Sequence, residues 1–263
     1  MLEKENTENK PGKKVSWHYS SGQNNPGFPW GPHKIPLQME FAGMSLFLEK
    51  KEGRIIYFRQ GMGEEYSKEI LAEKGNFVLT PVEPFHLPVG VGTHLLIDFS
   101  RSVVIEPRSS KTIFATFPLE LACAITHKQA GEHILDVFAL SRPKFTLYGS
   151  IRNGLVCKYW KSDTYISIPR LNPLEQGVIS INFQNSSGRW AEINKAVFSA
   201  PGMKIYYGPE LVSLKASMKI INEYTAETVF FDEPLKKGMH KALEKFSQRF
   251  LSLSAKTVME EGY

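Results

Sequence analysis

The sequence predicts a mainly β protein: two antiparallel β-sandwich-like units with a C-terminal amphipathic α-helix. Three observations lead there. More than a dozen short stretches alternate apolar and polar residues with the two-residue period of a strand. Turn residues punctuate them closely, and almost no helical stretch between them is long enough for a parallel crossover. Only near the end of the chain does the period lengthen to three and four residues.

Residues 1–14 are charged and polar without periodicity, which predicts a disordered tail. Residues 15–36 form a Gly/Pro segment carrying Trp17, His18, Tyr19, Phe28, Trp30 and His33, as expected of an irregular strap over a body. Alternation then begins with Leu37, Met39 and Phe41, continues with Met44, Leu46 and Leu48, and resumes at 54–59. Residues 64–74 read as a short helix, with Tyr66, Ile70 and Leu71 on one face and Gly75 as terminator. Strands at 93–99, 102–106, 111–117, 120–126 and 133–140 complete a first unit, residues 15–140. Pro107, Ser109, Ser110, Pro118 and Gly131 supply its turns.

Ser141-Arg142-Pro143 opens the second unit, residues 141–233, with strands at 144–149, 154–160, 165–168, 177–183, 189–198, 203–207, 211–221 and 224–231. Gln184-Asn185-Ser186-Ser187-Gly188 is a strong turn. In 211–221, Val212, Leu214, Ala216, Met218 and Ile220 alternate with Ser213, Lys215, Ser217 and Lys219, which predicts one wet face and an antiparallel, half-exposed sheet. A faint echo links residues 93–100 (THLLIDFS) with 177–184 (GVISINFQ), and a single large sandwich is the alternative to two units. The helix is expected over 234–260. Asp232 suits its N-cap and Pro234 its first turn, and Leu235, Met239, Ala242, Leu243, Phe246, Phe250 and Leu253 form its apolar stripe.

Composition narrows the function. A chain of 263 residues with 42% hydrophobic and 12% aromatic side chains buries a core. Its 32 Lys and Arg exceed 27 Asp and Glu by a net +5, but the excess is mostly spread, unlike the stripe of a dedicated nucleic-acid binder. Cys123 and Cys157 lie in apolar runs outside any CxxC pair and read as reduced, buried thiols. The first 14 residues lack the apolar segment of a signal peptide, and no run approaches the roughly 18 apolar residues of a membrane span. A cytoplasmic protein without a span is expected.

A PLEL strand (118–121) is followed by YGS (148–150) and GLVCKY (154–159). Then come ISINFQNSS (179–187) and KAVFSAPGMKIYY (195–207). Together these resemble an archaeal family of domains of unknown function, family 432 of that series, over most of residues 35–235. The resemblance implies a prokaryotic origin, and it carries no activity and no site residues.

Signatures such as GxGxxG, GxxxxGK[ST], HExxH, GxSxG and paired CxxC are missing, which lowers the case for an enzyme. His127, Glu132 and His133, with Asp136 nearby, flank a Gly-containing turn and are the metal candidates, though histidines at hairpin tips commonly have no ligand role. His86 and His94 flank a Pro/Gly loop and read as loop residues. Glu83, Asp98 and Glu106 lie near strand ends as candidate acids, with nothing in the sequence to pair them. Between 142 and 170, cations interleave with rings against a single acid, Asp163. Arg142, Arg152, Lys158, Trp160, Lys161 and Arg170 are the ligand or nucleic-acid candidates there, because rings stack on bases and cations neutralise phosphate. The competing reading makes Trp160 and its neighbouring tyrosines core residues with lysines snorkelling around them. The basic residues Lys236, Lys237, Lys241, Lys245 and Arg249 fit a membrane-surface or partner helix, and the favoured reading is a helix packed on its own sandwich or on a dimer mate.

These features favour a non-enzymatic binding or assembly module that meets a protein partner or a copy of itself. Nucleic-acid binding through 142–170 comes second and a metal-dependent hydrolase third. No cofactor is expected.

Overall fold

The structure is a computed structural model, and it describes residues 18–19, 29–72, 75–88, 90–127, 131–244 and 256–263. The expected tail, residues 1–14, lies outside them. With 61% of the described residues in strands, the protein is mainly β. In chain order the strands are β1 (His18–Tyr19), β2 (Gly31–His33), β3 (Leu37–Phe41), β4 (Met44–Lys51), β5 (Arg54–Gly61), β6 (Glu64–Ile70) and β7 (Asn76–Val82). Next come β8 (His94–Ile105), β9 (Ser109–Pro118), β10 (Glu120–His127), β11 (Gly131–Phe138), β12 (Lys144–Tyr148), β13 (Leu155–Ser162) and β14 (Gln176–Asn185). The last are β15 (Ala191–Ser199), β16 (Tyr206–Gly208), β17 (Leu211–Ile220), β18 (Ala226–Phe231), β19 (His240–Lys241) and β20 (Lys256–Met259).

Four sheets result. Sheet 1 runs β1-β3-β4-β5-β6, sheet 2 β11-β10-β7-β2 and sheet 3 β12-β13-β8-β15. Sheet 4 runs β19-β16-β17-β14-β9, with β18 added to β17 and β20 to β18.

Sheet 1 is a ladder of hairpins. Ala42-Gly43, Glu52-Gly53 and Met62-Gly63 each place two positive-φ residues between paired strands, the backbone that matches strand twist in a two-residue loop. The third of these turns forces residues 64–70 back along β5. The short helix expected at 64–74 is therefore a strand, β6. Tyr66 and Ile70 share a face in both conformations, because a four-residue spacing fits a helix and a strand alike.

Sheet 1 packs on sheet 2. Phe41 stacks near Phe138 at 6.4 Å between centroids, and Tyr57 near Phe77 at 6.4 Å. Sheet 3 packs on sheet 4. The rings that end the two echoing segments, Phe99 and Phe183, meet edge-on at 6.1 Å, and Phe198 stacks on Phe230 at 4.9 Å. Apolar contact is continuous across all four sheets, from Trp30 to Met259. Packing is also tight within sheet 4: a Cβ on Gly177 would sit 2.4 Å from the ring of Phe117, its partner across β9 and β14.

The chain leaves sheet 2 through residues 83–93 to enter β8, returns at Leu119 from β9 to β10, and leaves again through 139–143. Strands on either side of residue 141 pair directly: β8 with β13 and β15, and β9 with β14.

Two expectations are corrected in sheets 3 and 4. β13 lies parallel to β8, and β17 parallel to β14. A parallel pair needs a crossover, but not a helical one. Between β14 and β17 the chain crosses through β15 in the facing sheet, a 3-10 turn at Ala200–Gly202, and β16. Nor is β17 half-exposed. Ser213 and Ser217 are buried on its second face, leaving Lys219 exposed.

The C-terminal helix expected over 234–260 is also corrected. No α-helix is present among the described residues, and 245–255, including Phe246 and Phe250, lie outside them. Gly238 takes a positive φ of 84° only five residues into the expected helix. Beyond it, β19 pairs with β16, the Ala242 amide donates to Ile205 O at 2.9 Å, and 256–259 is a strand. Tertiary partners outcompete the local period. No helix among the described residues is long and apolar enough to cross a membrane.

Candidate functional site

The buried ionisable groups gather where the chain passes between sheets. Glu120 opens β10 in the PLEL segment and is fully buried. Its carboxylate accepts the His86 amide at 2.8 Å, the Leu87 amide at 3.2 Å and Lys158 Nζ at 2.7 Å. Lys158 also donates to Leu87 O at 3.3 Å. Nearby, His86 Nε2 lies 3.5 Å from Glu83 Oε2, both residues being buried. This cluster ties sheet 2, residues 83–88 and sheet 3 together, as a buried pair does when further hydrogen bonds support both charges.

A second buried network joins sheets 1 and 2. Asp136 Oδ2 accepts Arg59 Nε at 2.6 Å and Tyr57 Oη at 2.9 Å. Arg59 also lies over the Phe138 ring at 5.0 Å. Burial raises the Tyr57 pKa and pushes up the Cys123 thiol beside it.

The basic and aromatic candidates separate. Lys158 is in the buried pair, and half-buried Trp160 donates Nε1 to Thr116 Oγ1 at 2.8 Å. Arg142, Arg152, Lys161 and Arg170 are exposed. The metal candidates sit on the β10–β11 hairpin, where His127 pairs with Gly131, Thr126 with Glu132 and Ile125 with His133. His127 and His133 therefore share one face, Glu132 has the other, and all three are exposed. Among the described residues no group of three or more His, Cys, Asp or Glu could hold a metal ion. The acids do not converge: Glu83 faces His86, Asp98 accepts Tyr159 Oη at 2.7 Å, and exposed Glu106 pairs with Lys111 at 3.1 Å. Burial lowers the pKa of His94. Both cysteines are free and buried.

Open concavities lie elsewhere. The larger, about 950 Å³, is a groove between the turn after β14 and the turn before β18. Buried Asn185 builds its first wall: Nδ2 donates to the carbonyls of Ile105, Glu106 and Arg189, and Oδ1 accepts from Ser187 N and Oγ. That pins the loop which projects Trp190. Asn222 builds the other wall, its Oδ1 accepting the Tyr224 and Thr225 amides at 3.0 Å each. Tyr263 Oη donates to Asn222 O at 2.9 Å, and an Arg189–Glu223 ion pair spans the walls. Trp190 and Tyr224 remain 68% and 66% exposed, large values for rings on an ordered wall. The sequence placed Trp190 in a strand and gave no sign of its exposure.

A family described as "Protein of unknown function (DUF432)" matches residues 29–260. The chain belongs to this family. No curated protein and no solved structure matches it. The DUF432 match spans every strand from β2 to β20, and so takes in both buried networks and nearly all of the groove.

Proposed function

We propose that this DUF432 protein is a non-enzymatic binding module that holds an oligosaccharide in the groove of Trp190, Tyr224 and Tyr263. The observation that carries the reading is the pair of outward-facing rings, Trp190 and Tyr224, on the two walls of one groove. Rings kept in water without packing partners serve recognition, since burial in a core would otherwise stabilise the fold. The buried ionisable groups support a non-catalytic role, because they are consumed by ties between sheets.

The lining also favours a neutral ligand. The lining carries one cation, Arg189, and two carboxylates, Glu192 and Glu223, so a polyphosphate backbone would meet net negative charge. Sugar rings present flat C–H faces to aromatic rings and hydroxyls to carboxylates and amides, which fits this mixture.

Titration of the intrinsic tryptophan fluorescence with cellohexaose, chitohexaose and maltohexaose tests the reading. At least one saccharide should shift the emission saturably, and Trp190→Ala and Tyr224→Ala should each weaken that binding tenfold or more. No saturable response to any of the three overturns the reading, as does equal binding by both variants.

A further inference from the structure

Strand register brings four polar groups to one face of sheet 3, outside the turns that form the groove. Asp98 of β8 lies opposite Lys195 of β15, and Tyr159 of β13 and Tyr148 of β12 share that face. With Glu261 at the margin they line an open pocket of about 440 Å³.

The arrangement draws on β8, β12, β13, β15 and the segment after β20. Tyr159 Oη donates to Asp98 Oδ2 at 2.7 Å, and that bond holds the Tyr159 pKa above its ordinary value. Tyr148 Oη donates to Gly262 O at 3.0 Å and accepts the Glu261 amide at 3.0 Å, which fixes the segment after β20 as a wall. Lys195 Nζ stands 5.7 Å from the centre of the Tyr148 ring.

Lys195 makes no ion pair among the described residues, although Asp98 is its partner in register. Asp98 instead spends one lone pair on Tyr159 and keeps others for a ligand. A half-buried ammonium and a carboxylate thus face one cavity without neutralising each other. Partial desolvation strengthens each charge's attraction for an opposite one. A simple anion drawn to Lys195 would be repelled by Asp98 and Glu261, and a simple cation drawn to them would be repelled by Lys195. A ligand with both charges a few ångströms apart satisfies every group.

We propose that this pocket binds a small zwitterion of the α-amino-acid class, its carboxylate on Lys195 and its ammonium on Asp98. Tyr159 is the positioning residue that aims Asp98, and the Tyr148 ring provides the apolar floor.

Isothermal titration calorimetry on the full chain tests this, with L-serine, L-glutamate and L-lysine as probes and propionate and propylamine as single-charge controls. At least one amino acid should bind at least tenfold more tightly than both controls. Lys195→Met and Asp98→Asn should each weaken that binding tenfold or more. Tyr159→Phe removes one hydroxyl, keeps the ring, and should weaken it severalfold, so the test survives a folding defect in either charge variant. Absence of binding by all three amino acids at millimolar concentration overturns the proposal. So does a control that binds as tightly, or retention of full affinity by Lys195→Met. Saccharide binding in the groove does not enter any of these readouts, so the two proposals stand or fall separately.

Discussion

Lys158 Nζ lies 2.7 Å from Glu120 Oε1, and this single ion pair connects β13 of sheet 3 to β10 of sheet 2 with both side chains out of water. The pair is bracketed by three backbone groups, so neither charge is left unsatisfied. Its geometry fixes how the two layered halves meet.

Breaking the pair from one side should be costly. Lys158→Met strands a carboxylate in a dry site and should destabilise the protein by about 3–5 kcal/mol. Adding Glu120→Gln neutralises the stranded group while keeping an oxygen for one of the two amides, which bond to different carboxylate oxygens, and should recover part of the loss. Urea denaturation of the single and double variants measures both effects. Additive losses would show that the two groups do not act as a pair.

The Asp136 network should behave the same way across sheets 1 and 2. Asp136→Ala removes the buried partner of Arg59, leaving it only the exposed Glu64 at 3.6 Å, and should cost about 3–5 kcal/mol. Tyr57→Phe removes one buried hydrogen bond and should cost about 1–2 kcal/mol. Equal losses from both variants would assign the stability to the tyrosine contact instead of the charge.

Alkali should reveal the buried thiols. Burial pushes the Cys157 thiol up to about 11 from an ordinary 9.0. The folded state therefore holds its proton after the unfolded state has lost it. The stability this group contributes is complete below pH 9 and is lost as the pH rises through 11, at no more than about 1.4 kcal/mol per pH unit. Cys157→Ala should flatten the fall in melting temperature over that window. An unchanged slope would mean the thiol titrates normally. Both cysteines should also resist a bulky thiol reagent at pH 8 in the native protein.

The β character, most strand positions and the buried cysteines were legible because the two-residue period survives wherever one face is buried. What sequence reasoning missed follows from non-local partners. Residues 64–70 satisfy helical and strand spacing equally, and the Met62-Gly63 turn decides between them. Parallel pairing of β14 with β17 depends on a crossover through the facing sheet, which no local signal announces. At the site level, Lys158 read as a surface cation because its partner Glu120 is 38 residues away. Asp98 read as a candidate acid near a loop end, whereas it lies inside β8, and Lys195 and Tyr159 reach it only through register. Trp190 carried no marker of exposure.

The end of the chain gives the sharpest test of the corrected fold. In β20, Thr257 and Met259 are buried while Lys256 and Val258 are exposed, the alternation of a strand with one face on the core. β20 pairs antiparallel with β18, and Lys256 Nζ reaches Glu227 at 2.6 Å. Met259 is fully buried, with Sδ 3.3 Å from the Val197 amide of the facing sheet. Removing that side chain leaves a cavity between sheets 3 and 4, so Met259→Ala should cost about 2–5 kcal/mol. Val258→Ala, on the exposed face of the same strand, should change stability by less than about 0.5 kcal/mol. A helix through 256–259 would put the two side chains 100° apart and blur this contrast, whereas a strand places them on opposite faces. Comparable losses at both positions, measured by urea denaturation, would therefore remove β20 from sheet 4.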